Sequence, residues 1–555
     1  MIGPAPDFLP RPRRWEPEPG TVDTRDLDSI DTLRRLAVPG DFRSSEAYRI
    51  HLSEVRNTVE IGGPAALPHA WAHLRQWQGD HPESTPCGLL EDAPAFPRRG
   101  FMLDVSRCKV PTRESLERWV VLLAAFRFNE LQLYTEHTFA YTGHEPVWRD
   151  ASPLTPDDIA WLRDLCQTRG IELVPNQNCF GHFERWIEHP EYRDYGECPD
   201  GYVTPWGDPA DTGAVLKPDD ASFKLVSGLL DQLLPHFNAD RVNIGCDETF
   251  ELGQGATRER CEREGVGAVY TDFVRRVMAH ARRVHNKRPL FWGDIILKYP
   301  EYLEDLPSDA VALEWGYDAD HPFETDCAQF AASGLDFIVC PGSSSWRSFA
   351  GRADNMIANI RQAAACAEKN GASGLLLTDW GDCGHLQQEP VTWPALAWCG
   401  LNAWNPSAAD PEDAWRWCDA NAFDGASGDT AAWLEAGRVS ERTGWEPPNS
   451  NAVFHMFMHT RPERIREEVD DHGLHAALER LDTLPAPIHE TDAWEQTLRN
   501  LRLGLERERA RRGHGPAPLG LEEKAAAAHA ALWRARNREG GLAESLSMYT
   551  GTRNP

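Results

Sequence analysis

The sequence predicts a closed (β/α)₈ barrel flanked by a small N-terminal α/β unit and a C-terminal helical region. Three observations carry this. From Arg99 onward, eight short apolar runs rich in β-branched residues alternate with amphipathic helical stretches. That span sits within, or somewhat above, the usual ~250-residue barrel. The first run leads into Leu103-Asp104-Val105-Ser106-Arg107, not into the Gly-rich phosphate turn expected of an open, doubly wound sheet.

The runs are Gly100–Val105, Glu130–Tyr134, Ile171–Pro175, Arg241–Gly245, Pro289–Trp292, Ala310–Trp315, Phe337–Cys340 and Leu375–Thr378. Helix signals lie between them. Thr112 precedes Leu116, Trp119, Val120 and Leu123 on one face. Thr155 with Asp158 resembles a capping box, and Gly170 is a helix stop before a strand. Residues 1–44, rich in Pro and charge, read as a loose arm. Residues 45–96 read as a small α/β domain: Tyr48, Ile50 and Leu52 alternate as in a strand, and Val59 and Ile61 suggest another. Leu67, Ala70, Trp71, Leu74 and Trp77 fall at helical spacing, and Pro82 to Pro97 reads as a linker. The barrel is assigned to 97–405 and a helical domain to 406–555, where Trp494, Leu498, Leu501 and Leu505 recur at helical spacing.

Composition narrows the function. A formal charge of −29 over 555 residues disfavours phosphate backbones and anionic membranes, so neither nucleic acid nor membrane is an expected partner. No window approaches the ~20 apolar residues of a membrane span, and the N-terminus lacks a signal-peptide core. Thirteen cysteines without a C-x-x-C pair give no metal or redox motif and suit a cytoplasmic protein. No cofactor and no metal is expected. The oligomeric state is open, a homodimer being one option.

Catalytic groups of such barrels lie at the C-terminal strand ends. That filter selects Arg99 to Asp104 and Arg107, Glu136 and His137, Asn176, Asn178 and His182, and Asp247 and Glu248. Later strands add Trp292 and Asp294, Trp315 and Tyr317, and Trp380 and Asp382. Asp247 and Glu248 are adjacent. The acid and nucleophile of an ordinary retaining glycosidase must flank the scissile bond, ~5–5.5 Å apart, and usually come from different strands. Adjacent carboxylates suit another division of labour, in which one positions a substrate group that itself attacks and the other protonates the leaving oxygen. Like charges also raise one pKa, as an acid requires. Trp292, Trp315 and Trp380 would form an aromatic cup for the C–H faces of a sugar, with Asp382 accepting from its hydroxyls.

Together these residues resemble a known family. Asn243-Ile244-Gly245-Cys246-Asp247-Glu248 resembles the (H/N)-I-G-x-D-E signature of the family 20 glycoside hydrolases, the β-N-acetylhexosaminidases. Arg99 to Arg107 is similar to that family's first-strand motif, Gly181-His182 to its P-G-H turn, and Trp380-Gly381-Asp382 to its W-G-E. The run Ile244 to Gly255 looks most like the hexosaminidase D branch, and the match covers roughly residues 45–405. The resemblance implies an exo-acting, retaining enzyme that removes a terminal β-linked N-acetylglucosamine or N-acetylgalactosamine through an oxazolinium intermediate. It implies that Asp247 orients the 2-acetamido group and that Glu248 is acid and then base. Arg99 would grip the 3- and 4-hydroxyls, Asp382 would bind the 4- and 6-hydroxyls, and the three tryptophans would line the subsite. The expected partner is a glycan or glycoconjugate ending in such a sugar.

The sequence departs from the family pattern in three places. Asn176 and Asn178 stand where acidic residues precede the Gly-His turn. No Tyr follows the seventh run, so Tyr317 is assigned to the acetamido group. Glu136 and His137 occupy a usually Asp-rich position. The bland alternatives are an Arg99–Asp104 ion pair, a structural His182, a small buried Cys246, and packing roles for Trp346 and Trp494. Competing functions are a non-catalytic sugar-binding barrel and a conventional retaining β-glycosidase using Asp294. A metal-dependent deacetylase or hydrolase is a further option, but only His182 is well placed to be a ligand.

Overall fold

The computed structural model describes residues 6–207 and 209–550. The N-terminal sheet has five strands: β1 (Arg14–Val22), β2 (Ala37–Pro39), β3 (Tyr48–Leu52), β4 (Thr58–Ile61) and β5 (Thr85–Asp92), in the order β1-β5-β3-β4-β2. Tyr48, Ile50 and Leu52 bury one face of β3 against Leu67, Ala70, Leu74 and Trp77 of the helix Leu67–Gln78. This corrects two expectations. The stretch 1–44 is not a loose arm, because its described part supplies an edge strand that pairs with β5 from Arg14↔Glu91 to Val22↔Thr85. The Pro-rich stretch after Pro82 is not a linker, because Thr85–Asp92 is hydrogen-bonded on both sides. Proline hid both strands: Pro17 and Pro86 fall within them, and β1 is at the edge of the sheet, where a missing N–H is tolerated.

The barrel strands are β6 (Arg98–Asp104), β7 (Glu130–Tyr134), β8 (Glu172–Val174) and, after a short ribbon of β9 (Tyr202–Val203) and β10 (Pro209–Ala210), β11 (Arg241–Asn243), β12 (Arg288–Trp292), β13 (Val311–Trp315), β14 (Asp336–Cys340) and β15 (Gly374–Asp379). All eight run parallel in the order β11-β12-β13-β14-β15-β6-β7-β8. A parallel bridge between Asn176 and Asn243 closes the ring, with the Asn243 N–H donating to the Pro175 carbonyl at 2.9 Å. Alternation divides the strand residues. Met102, Tyr134, Leu290, Trp292, Leu313, Ile338 and Leu376 fill the interior, while Phe101, Leu131, Phe291, Ala312 and Leu377 pack outward into the helical layer.

Thr112 caps the helix Arg113–Ala125 by accepting the Ser115 N–H, and Thr155 forms the reciprocal capping box with Asp158. Beyond the barrel the chain is helical, ending in Thr491–Arg511, Leu519–Arg536 and Leu542–Thr550. The last helix docks on the catalytic end of the barrel: Ser545 Oγ donates to the Gly384 carbonyl, and Glu544 pairs with Arg185. Among the described residues no helix is long and apolar enough to cross a membrane.

Candidate active site

The chain after β11 is sharply kinked. Gly245, Cys246 and Glu248 all adopt positive φ (66°, 71° and 50°). Non-glycine residues rarely do so, and such strain persists only where surrounding contacts impose it. Here the contacts come from the turn after β8. A Cβ on Gly181 would lie 2.4 Å from the Asp247 carbonyl oxygen, and one on Gly245 would lie 2.5 Å from the Asn178 side chain. The two glycines therefore let the Gly181-His182 turn press against the Asp247-Glu248 turn.

This contact gives the two carboxylates different surroundings. Asp247 is 5% exposed. Its Oδ1 accepts from Asn178 Nδ2 at 2.7 Å and its Oδ2 from His182 Nε2 at 3.2 Å. Burial works against its ionisation, but His182 and Asn178 prevail and hold its pKa below the ordinary value. Glu248 keeps 36% of its side chain exposed to the cleft, with Oε2 3.6 Å from His182 Nε2. Its pKa is raised, first by burial and then, against His182, by the Asp247 and Asp382 charges. The sites push apart: one carboxyl is kept ionised and the other is disposed to hold a proton. Burial disfavours the His182 cation, yet the Asp247 carboxylate raises that imidazole to about 9.

Arg107 extends the network. Its guanidinium lies 3.3 Å from Asp104 and 3.2 Å from Glu136, reaches His182 Nδ1 at 3.2 Å, and lies against both the Tyr134 and Trp380 rings, 4.8 and 4.9 Å from their centroids. Asp104 is wholly buried. It accepts the backbone N–H groups of Ser106, Arg107 and Gly381 and so ties the end of β6 to the end of β15. Burial, opposed by Arg107, moves its carboxyl up to about 6. The Tyr134 hydroxyl donates to Glu136 at 3.0 Å and accepts from Asn178 at 3.2 Å, so Asn178 links this network to Asp247. Asp382 lies close enough for its charge to raise both Asp104 and Glu248.

The aromatic wall is continuous. Trp292 and Trp380 have ring centroids 6.1 Å apart, and Trp380 meets Tyr134 edge-on at 4.7 Å. Trp315 stacks on Tyr317 at 5.1 Å, and Tyr317 meets Trp346 edge-on at 5.0 Å. Trp380 Nε1 donates to the Tyr317 hydroxyl at 2.8 Å. The indole N–H groups of Trp292 and Trp315 are buried with no protein acceptor, and Trp292 is wholly buried, so it backs the wall and does not line the open cup that the sequence assigned to it.

Two sequence assignments change. Arg99 does not reach the cleft. It enters β6 at the opposite end of the barrel, where it donates to Glu46, to the Phe96 and Arg127 carbonyls, and lies over the Trp404 ring. Neither does it pair with Asp104, which lies at the far end of the same strand and binds Arg107 instead. Asp294 does not stand across the cleft from Glu248. Its Oδ2 accepts the backbone N–H of Glu248 at 3.1 Å, which places it behind the pair. Sequence reasoning gave Tyr134 no role, although its place as the last residue of β7, at the mouth of the barrel, was the available signal.

The model for the glycosyl hydrolase family 20 catalytic domain matches residues 96–370, the span that holds Asp247, Glu248, His182 and Arg107 but not Trp380, Gly381 and Asp382. The chain carries a family 20 glycosyl hydrolase domain. Human "Hexosaminidase D" is 28% identical over 218 residues, 36% of this chain and 40% of the human protein. A "Beta-hexosaminidase" of Akkermansia muciniphila is 25% identical over 263 residues, 43% of this chain and 51% of that protein. The aligned stretches thus span about half or less of these two relatives. In fold, the chain resembles the Flavobacterium johnsoniae chitobiase structure with a TM-score of 0.59 at 14% identity, over 94% of this chain and 96% of the other.

Proposed function

We propose that this family 20 domain is an exo-acting, retaining β-N-acetylhexosaminidase working by substrate-assisted catalysis. The observation that carries the reading is the unequal treatment of neighbouring carboxyls: Asp247 is buried, doubly hydrogen-bonded and kept ionised, while Glu248 is open to the cleft with its pKa raised. The names of the hexosaminidase relatives support the substrate class.

In the first step the sugar's acetamido carbonyl oxygen attacks the anomeric carbon. Asp247 accepts the amide N–H and stabilises the positive charge that develops on the oxazolinium ring. Glu248 gives its proton to the departing glycosidic oxygen. In the second step Glu248, now a carboxylate, takes a proton from water as that water attacks the anomeric carbon and reopens the ring. Two inversions retain the configuration. Tyr317 donates to the acetamido oxygen. The Trp315 and Trp380 rings bind the sugar face, with Trp292, wholly buried, packed behind them rather than in the subsite as first assigned, and Asp382 accepts from its outer hydroxyls. Arg107, whose guanidinium lies in the site network, takes the hydroxyl-binding role first assigned to Arg99.

Turnover of nitrophenyl β-N-acetylglucosaminide, β-N-acetylgalactosaminide and plain β-glucoside tests the reading. Activity is expected on the N-acetyl sugars alone, falling by about 10²–10⁴-fold in Glu248→Gln and similarly in Asp247→Asn. Equal turnover of the plain glucoside overturns the proposal. The chain's cysteines, none disulfide-bonded, fit the reducing cytoplasm that we propose as its compartment.

A further inference from the structure

Behind the loop that carries Trp315 and Tyr317, three side chains from three elements converge outside the catalytic network. Residues of β13 alternate between the barrel interior and the helical layer: Leu313 and Trp315 point in, so Glu314 points out. It is 2% exposed. Its Oε1 lies 2.9 Å from Nε2 of His321, in the following loop. Asp326, in the first turn of the helix Phe323–Ser333, brings Oδ2 to 3.7 Å from the same nitrogen. One ligand atom from each residue lies within 4.8 Å of the other two.

His321 is held firmly. A Cβ on Gly316 would fall 2.1 Å from its ring, so the imidazole lies flat on the main chain where no side chain fits. Phe323 packs edge-on against it at 4.5 Å, and Gln362 Nε2 donates to its carbonyl at 3.1 Å. The charges, by contrast, do not balance. Among the described residues no Lys or Arg lies within 4.0 Å of either carboxylate, and His321 alone faces both. Two carboxylates confined with a single imidazole are costly without a cation.

We propose that Glu314, His321 and Asp326 bind one divalent transition-metal ion, zinc by the character of the donors, which fastens the 316–322 loop to the barrel wall. One imidazole nitrogen and two carboxylate oxygens form a three-ligand set that leaves a position for water, and Zn²⁺ accepts both donor types at about 2.0–2.2 Å. A hard ion such as Mg²⁺ or Ca²⁺ would not select the imidazole. A surface cluster, Asp231 with His280 and His285, has both imidazoles within 2.7 Å of one carboxylate oxygen and is the internal competitor.

The test uses the full chain, stripped with a chelator and titrated with Zn²⁺ by calorimetry, with bound metal counted by mass spectrometry. One zinc per chain at micromolar concentration or tighter is expected, with a higher Tm. Binding should weaken at least 100-fold in His321→Asn and in the isosteric Glu314→Gln, and should persist in the His280→Asn/His285→Asn double variant. No stoichiometric zinc at micromolar concentration overturns the proposal. So does zinc kept by His321→Asn but lost from the double variant. A Tm that rises on acidification through pH 7 and ignores zinc also overturns it, because a proton shared by the two carboxyls then does the work. None of these measurements depends on hydrolase activity.

Discussion

The Asp294 carboxylate accepts the backbone N–H of Glu248 at 3.1 Å. The residue whose carboxyl would have served as nucleophile in a two-carboxylate glycosidase thus braces the main chain of Glu248, to which we assign the general-acid role. Burial, with the Asp247 and Glu248 charges, moves Asp294 up to about 7. Asp294→Asn keeps an acceptor for the N–H and removes a like charge. Activity on the N-acetyl sugar should fall by about tenfold or less, against the ~10²–10⁴-fold expected where the group is acid, base or nucleophile. By reciprocity Glu248 becomes the stronger acid, so the alkaline limb of the kcat profile should shift to lower pH. A loss of three decades with an unmoved limb would return Asp294 to a nucleophile's role.

The His182–Asp247 pair makes stability depend on pH. His182 is raised to about 9 in the folded protein. Its contribution is therefore complete below the unfolded imidazole pKa of ~6.5 and is lost as pH rises through about 9. Asp247 is lowered, so its contribution is present above the unfolded carboxyl value and is lost as pH falls through the folded one. The Tm gap between wild type and His182→Asn should be widest near pH 6, equivalent to roughly 3 kcal/mol at most, and should narrow toward pH 9. A gap that does not change from pH 6 to 9 would show that His182 is uncharged throughout.

Arg99 and Arg107 show where sequence reading stops. Both belong to the motif from Arg99 to Arg107, and a first-strand arginine was needed in the site. The run Gly100–Val105 already put Arg99 before the strand and Arg107 after it, and β6 keeps that order; the resemblance, applied residue by residue, set Arg99 in the site against the rule that such groups lie at the C-terminal strand ends. The eight runs and the Asp247-Glu248 turn were legible because hydrophobic alternation and paired carboxylates are local patterns. β1 and β5 were not, since proline masks a strand whose pairing partner is some seventy residues away. The role of Asn178 also depended on tertiary contact: its amide can hold Asp247 only because Gly245 leaves room for it.

The two arginines should therefore fail differently. Arg99→Met leaves Glu46 without its buried partner at the junction with the N-terminal sheet. It should cost about 3–5 kcal/mol of stability, while KM of the surviving folded enzyme stays within about twofold. Arg107→Met should raise KM and lower kcat/KM by two decades or more, with a smaller change in Tm, since its guanidinium stands in the cleft network. Thermal melts and steady-state kinetics on both variants separate the cases. Equal kinetic losses would restore Arg99 to the site.

Tyr317 tests the proposed mechanism most directly, because its hydroxyl accepts from Trp380 and in that mechanism gives its proton to the acetamido oxygen. Tyr317→Phe retains the stack on Trp315 and the edge contact with Trp346, so the cup keeps its shape. What disappears is one donor aimed at the oxygen on which charge changes as the oxazolinium ring forms. Removing one such donor typically costs about 10²–10³ in kcat. The loss should fall on kcat more than on KM, and it should be larger for a substrate whose acetamido group is made less nucleophilic by fluorination, because that oxygen then depends more on its orientation. If Tyr317 only buttresses Trp380, KM should rise instead and fluorination should affect wild type and variant alike.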